Sequence, residues 1–132
     1  MAFQVGDIKT FTKTITEEMV QQFAEMSGDF NPIHMDEEFA KKTRFGKRIA
    51  HGMISGALIS RCLAMELGNG IYMSQSLKFL QPIFIGDTVE VILRVSAIRE
   101  ERGIASVETL VKKSTGEICV KGDATIMRGD ML

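Results

Sequence analysis

From Ile71 onward the apolar residues recur at every second position, in four successive segments: Ile71 to Ile83, Asp87 to Arg99, Ile104 to Lys113 and Ile118 to Met127. The turn signals I-G-D, E-E-R-G and S-T-G-E separate them. A period of two places one face of each segment against a core and the other toward solvent, as in β-strands. The half before Gly70 is spaced differently and reads as helices. Helices gathered in one half and strands in the other define an α+β domain, with an antiparallel sheet wrapped on a long helix. The chain, residues 1–132, reads as one such domain, without a repeat, a linker or a low-complexity tract.

In the first half, Phe11, Lys13 and Ile15 alternate within Phe3 to Ile15, a short strand or extended lead-in. Thr16 is placed to cap a helix, with Glu17 and Glu18 in the first turn, where carboxylates complement the helix dipole. Met19, Val20, Phe23 and Ala24 mark its apolar face, and Gly28 is a natural stop. Asp29 to His34 is expected to be irregular, because Pro32 lacks a backbone donor and pushes Asn31 out of helical geometry. Asp36 looks like the cap of a short helix over D-E-E-F-A-K-K-T. After Gly46, His51-Gly52 leads into a longer helix bearing Gly56, Ala57, Ser60 and Ala64, and Gly68 to Gly70 ends it. Glycine in a helix costs about 1 kcal/mol relative to alanine, so Gly52 and Gly56 suggest close approach by a backbone or a ligand.

Several function classes are excluded by composition. The chain is 45% hydrophobic and 25% charged with a formal net charge of -1, and its cations are spread along it. A nucleic-acid binder should show a basic stripe, so none is expected as a partner. The most apolar stretch, Ile49 to Leu67, is interrupted by His51 and Arg61 and reads as a buried helix, not a membrane span. The N-terminus M-A-F-Q-V-G-D lacks the charged-then-apolar layout of a signal peptide. Cys62 and Cys119 lack C-x-x-C spacing and read as two buried thiols. Together these point to a cytoplasmic protein.

The chemistry concentrates in Ser27 to Asp36, S-G-D-F-N-P-I-H-M-D. His34 stands five residues after Asp29, and a proline-stiffened loop can aim both side chains at one point. A carboxylate and an imidazole aimed at one water form an acid–base pair, the carboxylate tuned by partial burial. Asn31 can fix the loop between them. The same residues allow a plainer reading, with Asp29 in an Asx turn beside Gly28 and His34 a satisfied core histidine. A metal reading would enlist Asp29, His34, Asp36 and His51, but nothing resembles H-E-x-x-H or a paired-cysteine site. G-N-G at Gly68 lacks the lysine of a phosphate loop, and Ser55 and Ser60 lack the G-x-S-x-G context of a nucleophile.

S-G-D-F-N-P-I-H-M-D-E-E-F-A closely resembles the signature of the MaoC-like hydratases, specifically the (R)-specific enoyl-CoA hydratases. R-I-A-H-G-M-I-S-G-A-L-I-S and Y-M-S-Q-S-L-K-F-L-Q-P-I-F-I-G-D-T-V look like that family's central helix and following strand. The resemblance spans essentially the whole chain. It implies a hot-dog fold around a helix at roughly Gly52 to Leu67, paired into a homodimer or a dimer-based oligomer. It also implies reversible syn hydration of a trans-2-enoyl-CoA without a metal or redox cofactor. Asp29 and His34 match the catalytic dyad and Asn31 the supporting asparagine. Gly52 is expected to offer its amide to the thioester carbonyl, and Ser60 resembles a small polar residue facing the site. His51 is expected to serve structural hydrogen bonding. Three other readings stand beside this one: a 3-hydroxyacyl-carrier-protein dehydratase, a non-catalytic acyl-CoA-binding module and a thioesterase. The basic run Lys41, Lys42, Arg44, Lys47 and Arg48 could serve a carrier protein, the CoA phosphates or the solvated surface.

Overall fold

The computed structural model describes residues 3–131. Strand β1 (Ile8–Thr14) leads into helix α1 (Glu17–Ser27), the short α2 (Pro32–Met35) and α3 (Glu37–Lys41), and the long α4 (Gly52–Glu66). Strands β2 (Ile71–Phe79), β3 (Thr88–Arg99), β4 (Ile104–Lys113) and β5 (Ile118–Met127) follow. Together with β1 they form one five-stranded antiparallel sheet in the order β1-β3-β4-β5-β2. The α+β arrangement expected from the change of period is the one observed.

Alternation decides which face of the sheet is buried. Val89, Val91, Leu93 and Val95 of β3 point inward with Ala105, Val107 and Val111 of β4 and Ala124 and Ile126 of β5, all nearly inaccessible. Helix α4 closes that face, bringing Ile54, Ile59, Cys62 and Leu63 onto the strands. Register shifts at Tyr72/Ser74, Val95/Ala97 and Val111/Lys112 bend the strands, so the sheet wraps the helix instead of lying flat against it. This is the hot-dog arrangement. Cys62 and Cys119 are free and buried in it, and burial pushes the Cys62 thiol up to about 11.

Two boundaries differ from expectation, and each difference builds part of the site. Residues 32–35 form a helical turn, not irregular chain. Proline at the first helical position lacks only a donor that would have no partner there, and extended Asn31 caps the turn by accepting from the Ile33 amide. Strand β2 stops at Phe79, four residues early. Leu80 and Gln81 both donate to the Cys119 carbonyl, which turns the chain out of the sheet before Pro82. The departing segment is then caught by Ala50, whose amide donates to the Ile83 carbonyl, and by a bridge between Ile49 and Phe84. No described helix is long and apolar enough to cross a membrane.

Candidate active site

Helix α1 delivers the chain to the site. Thr16 caps its start as expected, and Gly28 ends it in the left-handed conformation at φ 79°, which a residue with a Cβ adopts at a cost. The turn that follows is a run of local hydrogen bonds: Asp29 N donates to Ser27 Oγ at 3.1 Å and Asn31 N to Asp29 Oδ1 at 3.2 Å. Asp29 is therefore an Asx-turn residue, and the turn uses one carboxylate oxygen while holding the group still. The carboxylate is solvent-exposed in the single chain, where the sequence suggested partial burial.

His34 sits on the α2 turn and is 9% exposed. Its Nδ1–H donates to the Ile49 carbonyl at 2.8 Å, which fixes the tautomer and leaves Nε2 with a free lone pair. Burial holds the imidazole below its ordinary pKa, opposed mainly by that hydrogen bond, so the neutral form prevails near neutral pH.

His51 is more central than a packing role requires. It is buried at 3% exposure, its Nε2–H donates to the Asp29 carbonyl at 2.9 Å, and its ring stacks on those of His34 and Phe23 with centroids 4.1 and 4.8 Å away. The Nδ1 atom is buried without a partner. A carboxylate oxygen of Asp29 and one ring nitrogen each of His34 and His51 lie within 4.8 Å of one another. One water bonded to two groups at ordinary lengths separates them by about 4.5 Å, so a cluster of this span can share a water, and its donor set is also one that could hold a metal ion. Asp36, the fourth residue of the metal reading, instead caps α3 through the Phe39 amide.

His51 also precedes α4, which starts at Gly52 as expected. The first intrahelical bond runs from the Ile54 amide, so the amides of Gly52 and Met53 have no partner within the helix and carry the positive end of its dipole. Gly52 is exposed and lies in the wall of a cavity of about 340 Å³ with His34, Ser55, Phe79, Ile83 and Val120. A Cβ at Gly52 would come within 2.9 Å of the Phe79 ring. A side chain at this position would therefore displace the Phe79 ring, and the glycine is also suited to exposing its amide. Ser60 lies outside that wall. Ser55, one turn into the helix and buried, takes the position expected of it. Asn31 is exposed, and its side-chain oxygen is engaged in capping α2.

The basic run divides. Arg44 reaches the cavity wall, Lys41 pairs with Glu38 at 3.1 Å, and Lys47 lies over the Phe84 ring at 4.6 Å. Arg48 turns inward. Phe79 was not readable as a site residue because it reaches the site by long-range packing. His51 entered through the metal reading, and three of its four residues, Asp29, His34 and His51, do come together. Ser55 entered only as a serine without a nucleophile motif.

In this hot-dog fold an acid–base cluster thus sits beside a largely apolar cavity that the start of α4 helps to line, the layout of an enzyme site. Residues 6–117 match the MaoC like domain. The chain belongs to this family. It is 39% identical to an (R)-specific enoyl-CoA hydratase of Aeromonas caviae, with 95% of each chain covered, and 34% identical to a mitochondrial 3-hydroxyacyl-[acyl-carrier-protein] dehydratase of Arabidopsis thaliana, covering 92% of this chain and 75% of that protein. A solved (R)-hydratase of A. caviae, described as involved in PHA biosynthesis, superposes with a TM-score of 0.92 at 36% identity, over 96% of this chain and 98% of that one. The chain is a hydro-lyase.

Proposed function

We propose that the chain catalyses reversible syn addition of water to a trans-2-enoyl-CoA, giving an (R)-3-hydroxyacyl-CoA, with Asp29 and His34 as the acid–base dyad. The observation that carries this reading is the gathering of the Asp29, His34 and His51 polar atoms within 4.8 Å beside the cavity that Gly52 lines. Asp29 and the free Nε2 of His34 each accept a hydrogen from one water and hold it over the alkene. Asp29 withdraws a proton as the water oxygen attacks C3, and the dyad returns that proton to C2 from the same face, so the elements of one water are added and both groups end as they began. Negative charge builds on the thioester oxygen, and the Gly52 amide is suited to receive it. A donor so placed is worth roughly 3 to 4 kcal/mol at the transition state. Proton transfer within this dyad needs no metal or redox group, and CoA enters as part of the substrate.

The likeness to the Arabidopsis dehydratase supports a second reading, the same chemistry run in reverse on a carrier-tethered acyl group. Comparing kcat/KM for crotonyl-CoA and crotonyl-carrier protein separates the two. The main test is hydration of crotonyl-CoA with chiral analysis of the product. Asp29→Asn and His34→Ala should each lose about three orders of magnitude in kcat while keeping the fold. Near wild-type turnover by Asp29→Asn would refute the dyad.

A further inference from the structure

Arg48 is set apart from the cations around it. Lys41, Lys42, Arg44 and Lys47 are exposed, whereas the Arg48 side chain is 11% exposed and spends its donors inside the protein. Its Nε donates to the His34 carbonyl at 2.7 Å. Its Nη1 and Nη2 donate to the two carboxylate oxygens of Glu17 at 2.8 and 2.9 Å. Glu37 adds an oxygen 3.9 Å from Nη1, and its other oxygen accepts from the Arg48 amide at 3.4 Å. A guanidinium is a rigid planar fork, so a bidentate pair fixes the direction in which Nε points, which an ammonium cannot do.

The residue after Arg48 grips the same histidine at its other end. Ile49 accepts from His34 Nδ1 and donates from its own amide to the Ile33 carbonyl at 3.2 Å. His34 is thus held by its backbone and its ring by two consecutive residues, and Glu17 ties the first of them to α1. The α2 turn is four residues long and cannot hold its shape alone. We infer that Arg48 is a positioning residue for His34, tying the α2 turn to α1 through Glu17 and thereby setting where the His34 ring meets the water that the dyad holds.

This rests on the hydratase reading of the site. The charged and titratable groups facing His34 are His51 from the start of α4, Asp29 from the loop and Arg48 itself, with Glu17 and Glu37 surrounding Arg48. Burial is the main cause of the lowered His34 pKa, and the positive charge of Arg48 lowers it further. Geometry and charge can therefore be separated. Arg48→Lys keeps the charge and loses the fork, while Arg48→Gln loses both.

Both variants should lower kcat for crotonyl-CoA about 10-fold, with KM within about two-fold of wild type, because a misplaced group costs rate more than binding. By NMR titration the His34 pKa should rise in Arg48→Gln and stay in place in Arg48→Lys. A role confined to stability would lower the melting temperature and leave kcat of the folded protein unchanged. Arg48→Lys, which retains a cation for Glu17 and Glu37, decides the matter should Arg48→Gln fail to fold. Wild-type kcat in folded Arg48→Lys overturns the inference. If the unmutated protein hydrated neither crotonyl-CoA nor crotonyl-carrier protein, the hydratase reading would fall instead. The His34 Nδ1–H resonance, which reports the bond to Ile49, would then decide for Arg48: a shift in Arg48→Lys supports positioning, and an unmoved resonance refutes it.

Discussion

His34 shows how a single residue acquires a role from its surroundings. Burial lowers its pKa below the ordinary 6.5, so the folded state resists protonation where an unfolded chain would accept a proton. Between the lowered value and 6.5 the unfolded state binds more protons, so stability rises with pH across that window, falls as pH drops through it and levels off below the lowered value. The same protonation removes the Nε2 lone pair. The acid limb of kcat/KM for crotonyl-CoA should therefore fall below pH 6.5, and His34→Gln should flatten the stability profile in the same range. Denaturant melts at half-unit pH steps would check the second, and an unchanged slope in His34→Gln would contradict it. Sequence singled out the residue pair, and the two alternatives it offered for Asp29 are not exclusive. The carboxylate closes an Asx turn with one oxygen, and the same bond holds the group in place for the role proposed for it. Which serine of α4 meets the cavity was beyond sequence, since Ser55 and Ser60 differ only in which side of the helix packs on the strands.

At the scale of elements, strand spacing was legible because alternation records burial directly, and helix α4 because small residues mark close contact. Strand ends were less so. Ile71 to Ile83 keeps its alternation past the point where Leu80 and Gln81 turn toward Cys119, so the pattern alone carried no stop. Pro32 suggested a break where it in fact begins a turn, since the same missing donor suits both. Close pairing of β2 with β5 is another feature that appears only in the folded chain. A Cβ at Gly122 would collide with the Ser76 carbonyl oxygen, backbone that cannot swing aside. Gly122→Ala should therefore cost about 3 kcal/mol, lowering the melting temperature by on the order of 10 °C. Calorimetry tests this, and a melting temperature within 2 °C of wild type would mean that the strands part more freely than their packing implies.

For the whole molecule, the two edges of the sheet are unlike. Strand β1 carries Lys9 and Lys13 along its seven residues, charges that discourage pairing with another strand. Strand β2 carries only Lys78 among its nine, and exposes Ile71, Tyr72, Met73 and Phe79, each more than a third accessible. An edge of that length and character is a template for a second copy. Pairing of β2 with its symmetry mate would make one continuous sheet and cover apolar surface that now meets solvent. The strand order could not be read from the chain because β1 and β3, like β5 and β2, pair across long separations. The choice of edge follows from residues that sequence already displayed. Each copy has a mass of 14.7 kDa, so light scattering should report twice that, about 29 kDa. Tyr72→Glu with Met73→Glu would place two carboxylates beside their symmetry mates and should return the 14.7 kDa species. Because Phe79 lies both on this edge strand and in the cavity wall, and Asp29 is open to solvent in the single chain, that monomer should also lose most of its hydration activity. A fully active monomer would show that the site is complete within one chain and that the β2 edge serves another purpose.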